Sequence, residues 1–365
     1  MTGVGPGRAG GVARPEPARS GPVQSGPVQP GPVQPGPAQP GPVQPGSAQP
    51  ALLRLGAEEM ARLLTPARAA DALAAVLLGG LDPETCPGRT AVDVPGGELL
   101  LMPAASGAYA GVKIAGVAPG NPARGLPRIT GSYLLLDGPT LRPLALLDGA
   151  ALTTLRTPAV SALALRHLAP SGRPLRLVLF GSGPQAYGHL EAVLGMRELA
   201  DAVVVARDPA RAARLVAHAG GLGVPARSGV PGDVAGADLV LCCTTSREPL
   251  FDGRLVAPGA VVVAVGSHEP DARETDTALV RRAAVYVESR AAALREAGDL
   301  LVPEAEGAIG PGHINGTLAD LVTGRIAAGG RAGCPQLFKS VGMAWEDLAV
   351  AVALLEAAGG ANSET

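Results

Sequence analysis

The stretch LRLVLFGSGPQAYGHLEAV, residues 175–193, restricts the fold more than any other part of the chain. It begins with an apolar run that suits a strand buried on both faces, then breaks at glycine, then takes up helical spacing. Gly181, Gly183 and Ala186 fall in the pattern G-x-G-x-x-A between those two elements. Gly181 allows the tight turn, Gly183 lets the backbone approach a pyrophosphate, and Ala186 is small enough for the helix to pack on the strand. An anion held there meets the free N–H groups and the positive dipole end of the helix. A glycine triplet on its own also occurs in ordinary turns; here the preceding strand and following helix supply the context that dinucleotide binding needs.

The surrounding pattern predicts an α/β fold. From about residue 153, helical stretches alternate with the apolar runs AVVVA, ADLVLCC, AVVVAVGS and AVYVES. That alternation implies right-handed crossovers and a Rossmann-type, doubly wound parallel sheet over residues 153–316. Before it, ALLRLGAEEMARLL and ARAADALAAVL read as helices, and TAVDVP, ELLLMPA, YAGVKIAGV and SYLLLD as strands of a mostly antiparallel sheet. The segment from about Thr317 reads as helices ending in MAWEDLAVAVALLEAAG. Residues 51–152 and 317–360 are accordingly expected to form one discontinuous α+β domain. Residues 1–50 carry a GPVQP-type repeat whose Pro and Gly content predicts a disordered tail.

Composition removes several classes of partner. The net charge of −2 comes without a basic block, which excludes nucleic acid as the main ligand. Aromatic residues make up 2% of the chain, leaving Ala, Val and Leu to build the core. No apolar run reaches the ~20 residues of a membrane helix and MTGVGPGRAG has no signal-like core, so a cytoplasmic protein is expected. Cys86, Cys242, Cys243 and Cys334 have neither disulfide nor metal-ligand spacing, and His167, His189, His218 and His313 show no metal pattern, so no metal is expected.

Three cationic positions bear on the ligand. In VVVARDPARA, the strand after the glycine turn ends at Arg207 and Asp208, where an acid would hold ribose hydroxyls and a guanidinium would hold a 2′-phosphate. Arg207 stands at the strand end, and Asp208 comes one residue late, before Pro209, where it suits a helix cap. This favours NADP(H), with NAD(H) possible. Lys113 lies within the apolar YAGVKIAGV and Arg89 precedes TAVDV. Each is either an exposed charge or a buried one that needs a partner, which an anionic ligand could supply.

FGSGPQAYGHLEAV resembles the nucleotide turn of the ornithine cyclodeaminase and mu-crystallin family. PGRTAVDVPGGELLLMPA, GVKIAGVAPGN, LRPLALLDGAALTTLRTPAVSALA, CCTTSREPLF, GSHEPDARETD and LFKSVGMAWEDLAVA extend the resemblance over residues 52–357. It implies a homodimer that moves hydride between NAD(P)H and the C=N or C–N bond of a small imino or amino acid. Arg89, Lys113 and Arg156 would then hold the substrate carboxylate. Gly181, Gly183, Pro184, Gln185, Ala186, Arg207, Thr244, Val265 and Gly266 would contact the cofactor, Asn121 would support the site, and Lys339 would bridge to the substrate domain.

The chain departs from the cyclodeaminases where their catalytic aspartate stands. His268 occupies that position and Asp271 follows three residues later. The candidate catalytic residues are therefore Lys113, His268 and Asp271, with His268 as a proton donor. The departure points to a ketimine or pyrroline-2-carboxylate reductase. The alternatives are a cyclodeaminase that turns ornithine into proline and ammonia on bound NAD, and a non-catalytic NADPH-dependent binder.

Overall fold

Leucine and valine runs bounded by Gly and Pro build two sheets, and the structure, a computed structural model, describes residues 52–329 and 333–363. The repeat tail lies outside the described residues. Those residues belong to one compact unit.

The first sheet has six strands: β1 (Leu53–Leu55), β2 (Thr90–Val94), β3 (Gly97–Ser106), β4 (Tyr109–Val117), β5 (Ile129–Asp137) and β6 (Pro143–Asp148). Their order is β1-β6-β5-β4-β3-β2, antiparallel throughout except that β1 runs parallel to β6. The period of two sends Met102, Lys113 and Tyr133, which face one another in register, to the covered side, and leaves Ile114 exposed on the other. The helical reading of residues 51–64 is corrected here. Leu53–Leu55 pairs as a strand, and only then do α1 (Ala57–Leu63) and α2 (Pro66–Leu78) follow, with Thr65 capping α2.

Helix α3 (Gly149–Leu168), capped by Asp148, leads into the second sheet. That sheet is built from β7 (Leu175–Phe180), α4 (Pro184–Leu194), β8 (Leu199–Val205), α5 (Pro209–Gly221), β9 (Ala226–Ser228), β10 (Leu239–Cys242) and β11 (Val261–Ala264). It continues through α6 (Thr277–Arg282), β12 (Ala284–Val287), α7 (Arg290–Glu296), α8 (Gly298–Ala305), β13 (Ile314–Thr317), α9 (Leu318–Val322) and β14 (Gln336–Lys339) to the last helix, α10 (Ala344–Ser363). The eight strands lie parallel in the order β13-β12-β14-β11-β10-β7-β8-β9. The chain moves outward from β7 through β8 to β9, then crosses back to β10 on the other flank of β7. The carboxyl ends of β7 and β10 therefore form a topological switch point, the crevice where α/β sheets place ligands.

One feature differs from the sequence expectation. The segment after Thr317 is not helical throughout, because QLFK forms β14 and inserts between β11 and β12. Only after it does α10 cross to pack on β3, β4, α2 and α3. Lys339, at the end of β14, is fully buried and pairs with Asp299 (2.9 Å) while donating to the Ser267 carbonyl (2.6 Å). Asp299 in turn accepts from the Glu274 and Thr275 amides and the Thr275 hydroxyl. Lys339 thus ties strand ends together inside the parallel sheet, which replaces the expected bridge to the substrate domain. Lys339→Met should leave Asp299 buried without a counter-charge and cost about 3–5 kcal/mol, read as a lower urea midpoint for unfolding.

Candidate active site

Lys113 is the buried lysine of the apolar strand β4, and it has a partner. Its ammonium lies 2.7 Å from Asp347 Oδ2 and donates to the Thr153 hydroxyl at 3.3 Å. Burial pulls it below the ordinary lysine range, and the Asp347 carboxylate acts in the opposite direction. Arg156, on the covered side of α3, donates from Nη1 to Glu346 Oε2 at 2.8 Å, and its Nε lies 3.4 Å from Asp347 Oδ1. Arg89, ahead of β2, donates from Nη2 to the carbonyls of Val341 (2.7 Å) and Gly342 (2.8 Å), and lies 2.9 Å from Glu296.

These three cations come from separate segments and meet around residues 341–347. Asp347 touches both Lys113 and Arg156. Gly342 gives its carbonyl to Arg89, and its positive φ of 78° goes with an approach so close that a Cβ would come 2.7 Å from Arg156 Nη2. The hydrogen bonds of Arg89 all leave from Nη2 and that of Arg156 from Nη1, so each guanidinium keeps a further edge for an anion. A small cavity of about 70 Å³ adjoins Arg89, walled by Cys86, Met102, Met343 and Ala344.

The acids that hold this group were not singled out in the sequence, although Glu346 and Asp347 are the only charges between Ala344 and Leu355 in the apolar first half of the helix. That contrast is the signal that could have found them.

The other two candidate catalytic residues are not part of this group of contacts. Asp271 is exposed and pairs with Arg247, which also holds Glu269. It follows a solvent-facing loop, so shifting the alignment by three residues does not restore a buried catalytic aspartate. His268 follows β11 with part of its ring in solvent. Partial enclosure, with Arg89 next, holds its imidazole below the ordinary histidine range. Asn121 donates to the Pro127 carbonyl in a turn between β4 and β5.

The nucleotide turn has the geometry its sequence implies. Gly181 has φ of 111°, and a Cβ there would come 2.4 Å from the Cys243 carbonyl, so only glycine lets the ends of β7 and β10 approach this closely. A Cβ on Gly183 would meet nothing within 4 Å. Gly183 caps α4 without a side chain, Pro184 sits at the first helical position, and Ala186 is fully buried. An open approach to an uncapped helix N-terminus fits a pyrophosphate. His189 packs beneath, bonded to Ser161 (2.8 Å) and the Gln185 carbonyl (2.7 Å), and burial pushes its imidazole down to about 4.

Arg207 is exposed at the end of β8 and its guanidinium has no partner among the described residues, whereas Asp208 caps α5 by accepting from Ala210 and Arg211 amides. Thr244 is tied into the sheet. Its amide and hydroxyl both donate to Glu274 (2.8 and 2.7 Å), whose other oxygen takes the Gly266 amide. Glu274 thus clamps the ends of β10 and β11, leaving Thr244 no hydrogen to offer a cofactor. Val265 lies between these clamped ends. Gln185 donates to the Thr153 carbonyl, joining α4 to the helix that carries Arg156. Among the described residues no cluster of three His, Cys, Asp or Glu side chains is placed to hold a metal, and no helix is long and apolar enough to cross a membrane.

A model of the ornithine cyclodeaminase/mu-crystallin family matches residues 64–362. The chain belongs to that family. Ketimine reductase mu-crystallin of Mus musculus is 36% identical over 269 residues, 73% of this chain and 82% of that protein. Among solved structures, the Δ1-pyrroline-2-carboxylate reductase of Thermococcus litoralis, in complex with NADH and L-proline, superposes with a TM-score of 0.80 at 30% identity, covering 85% of this chain and 98% of that one. An archaeal alanine dehydrogenase dimer with bound NAD gives 0.80 at 27% identity, with 85% and 97% coverage.

The two glycines should separate on mutation. Gly181→Val should lower the melting temperature, because the Cys243 backbone cannot yield. Gly183→Val should melt like the wild type yet bind NADPH about tenfold or more weakly by fluorescence titration, as expected when charge-assisted bonds to the pyrophosphate are lost.

Proposed function

We propose that this chain is an NAD(P)H-dependent reductase of a small α-imino acid, similar in reaction to the ketimine and pyrroline-2-carboxylate reductases of its family. The observation that carries the reading is the meeting of Lys113, Arg89 and Arg156 around residues 341–347, with donor edges on both arginines left uncommitted. Such a group binds one carboxylate in a fixed orientation, which brings the α-carbon to one place. A reduced nicotinamide, when bound, supplies the hydride. Gly183 and the N-terminus of α4 receive the pyrophosphate, and Arg207 takes a 2′-phosphate, so NADP(H) is the preferred cofactor. The apolar wall of Cys86, Met102, Met343 and Ala344 suits a small apolar substituent. His268, whose imidazole lies near enough to Arg89 to feel its charge, is the proposed source of the proton that the nitrogen gains on reduction.

The outer face of the first sheet carries exposed Val92, Val94 and Ile114. Three apolar side chains on one face suit a second copy of the chain, and a homodimer through this face is part of the proposal. Ile114→Lys should halve the mass measured by light scattering; an unchanged mass would place the interface elsewhere. A cytoplasmic location accords with four free thiols.

The function is tested by following NADPH oxidation with Δ1-pyrroline-2-carboxylate and other small imino acids, with ornithine alone as a control. Turnover of an imino acid supports the reading. Proline and ammonia from ornithine without added cofactor would make the protein a cyclodeaminase, and cofactor binding without any turnover would make it a binder. Arg207→Ala should weaken NADPH about tenfold or more while leaving NADH unchanged, and an unaltered ratio would remove Arg207 from cofactor choice.

A further inference from the structure

Two acids meet at the rear of the cation group, and the carboxylate-binding reading does not use them. Glu288 follows β12 and is buried. It accepts three bonds: from the Ser340 hydroxyl, from the Val341 amide (2.9 Å) and from the Gly342 amide (2.9 Å). Those three donors leave one acceptor position, on Oε1, open. Glu346 has no exposure and is served differently. Its Oε2 accepts from Arg156 Nη1 at 2.8 Å, while its Oε1 is buried without a donor. The carboxyl groups of Glu346 and Glu288 are in hydrogen-bonding contact.

Two ionised carboxylates cannot face each other in a buried contact, and a single proton resolves it. Glu288 already accepts three hydrogen bonds and Glu346 accepts one from Arg156, so the proton is placed on Glu346. Oε1 of Glu346 is buried and accepts no hydrogen bond, so the proton is placed on it, and Glu288 is the carboxylate in contact to receive that hydrogen. Burial first, and then the facing Glu288, push Glu346 well above the usual carboxylate range.

We propose that Glu346 and Glu288 form an acid–carboxylate pair sharing one proton, and that Glu346, as a neutral positioning residue, holds Arg156 ready for the substrate carboxylate without cancelling its charge. This rests on the reading that Arg156 meets that carboxylate. Lys113, Arg156 and Arg89 carry three positive charges against Asp347, Glu288 and Glu296, so the group is balanced when Glu346 is neutral. An ionised Glu346 would make it net negative and repel the substrate. The groups that face the pair are Arg156 from α3, Asp347 from the same helix, Lys113 from β4 through Asp347, Arg89 through the Val341 and Gly342 carbonyls, and the Cys86 thiol, which Asp82 and Glu346 help to push up.

The protonation state and its effect can be read separately. Infrared difference spectra of the full chain, wild type minus Glu346→Gln, should show at pH 7 the carbonyl stretch of an un-ionised carboxylic acid. Glutamine copies the neutral acid, donating to Glu288 and accepting from Arg156. Glu346→Gln should therefore keep the KM for Δ1-pyrroline-2-carboxylate within about threefold, whereas Glu346→Ala, which releases Arg156, should raise it about tenfold or more. Above its raised pKa Glu346 ionises, so the wild-type KM should climb as pH rises through that ionisation while the glutamine variant stays flat.

A wild type without the acid band overturns the proposal, as does a band that persists in Glu346→Gln and so belongs to another acid such as Glu274. Equal KM losses in the glutamine and alanine variants also overturn it. If no imino acid is reduced, the functional reading fails, and the infrared band alone still decides whether the pair shares a proton.

Discussion

The structure turns on a set of charges placed where two sheets and a helix close over one another. Lys113 and Arg156 are nearly without solvent, and each would cost several kcal/mol if left unpaired. The first turn of α10 answers both at once, since Glu346 and Asp347 stand on consecutive residues and reach in different directions. That demand fixes how far β14 runs, where the chain turns at Gly342, and which end of α10 faces the cations. It also explains why a helix so apolar along its length begins with two acids.

The nucleotide half solves a related problem with backbone groups. Three strand ends crowd the switch point, and each close approach is made possible by a missing side chain or by a buried acid. Gly181 lets β7 meet the Cys243 carbonyl, Glu274 gathers the Thr244 and Gly266 amides, and Asp299 gathers the amides that follow. A cradle held at so many points needs little reorganisation when an anion arrives, which is the condition for orienting a cofactor against a substrate. Gln185 links this cradle to Thr153, one turn from Arg156 and itself bonded to Lys113, so the two halves of the site share a helix.

Much of this was legible in the chain. The β7 turn, the alternation that builds the parallel sheet, the pleat of β3 to β5 and the capping role of Asp208 all depend on neighbours within a few residues. The errors also have local causes. ALLRL has helical spacing, yet it is three residues of strand because β6 offers an edge to pair with. QLFK is too short to announce itself between loops, and its place between β11 and β12 depends on a gap left by strands distant in sequence.

The sequence by itself determined most of the elements and the nucleotide turn, because propensity, period and glycine geometry act over short distances, while the family resemblance marked out the three cations. Tertiary structure alone decided what those cations do. Arg156 and Lys113 find their acids 190 and 234 residues further on, and no pattern within a strand or helix encodes so distant a partner. It also moved Asp271 to the surface and made Thr244 a strut, because a loop residue takes its role from whichever groups the fold brings beside it.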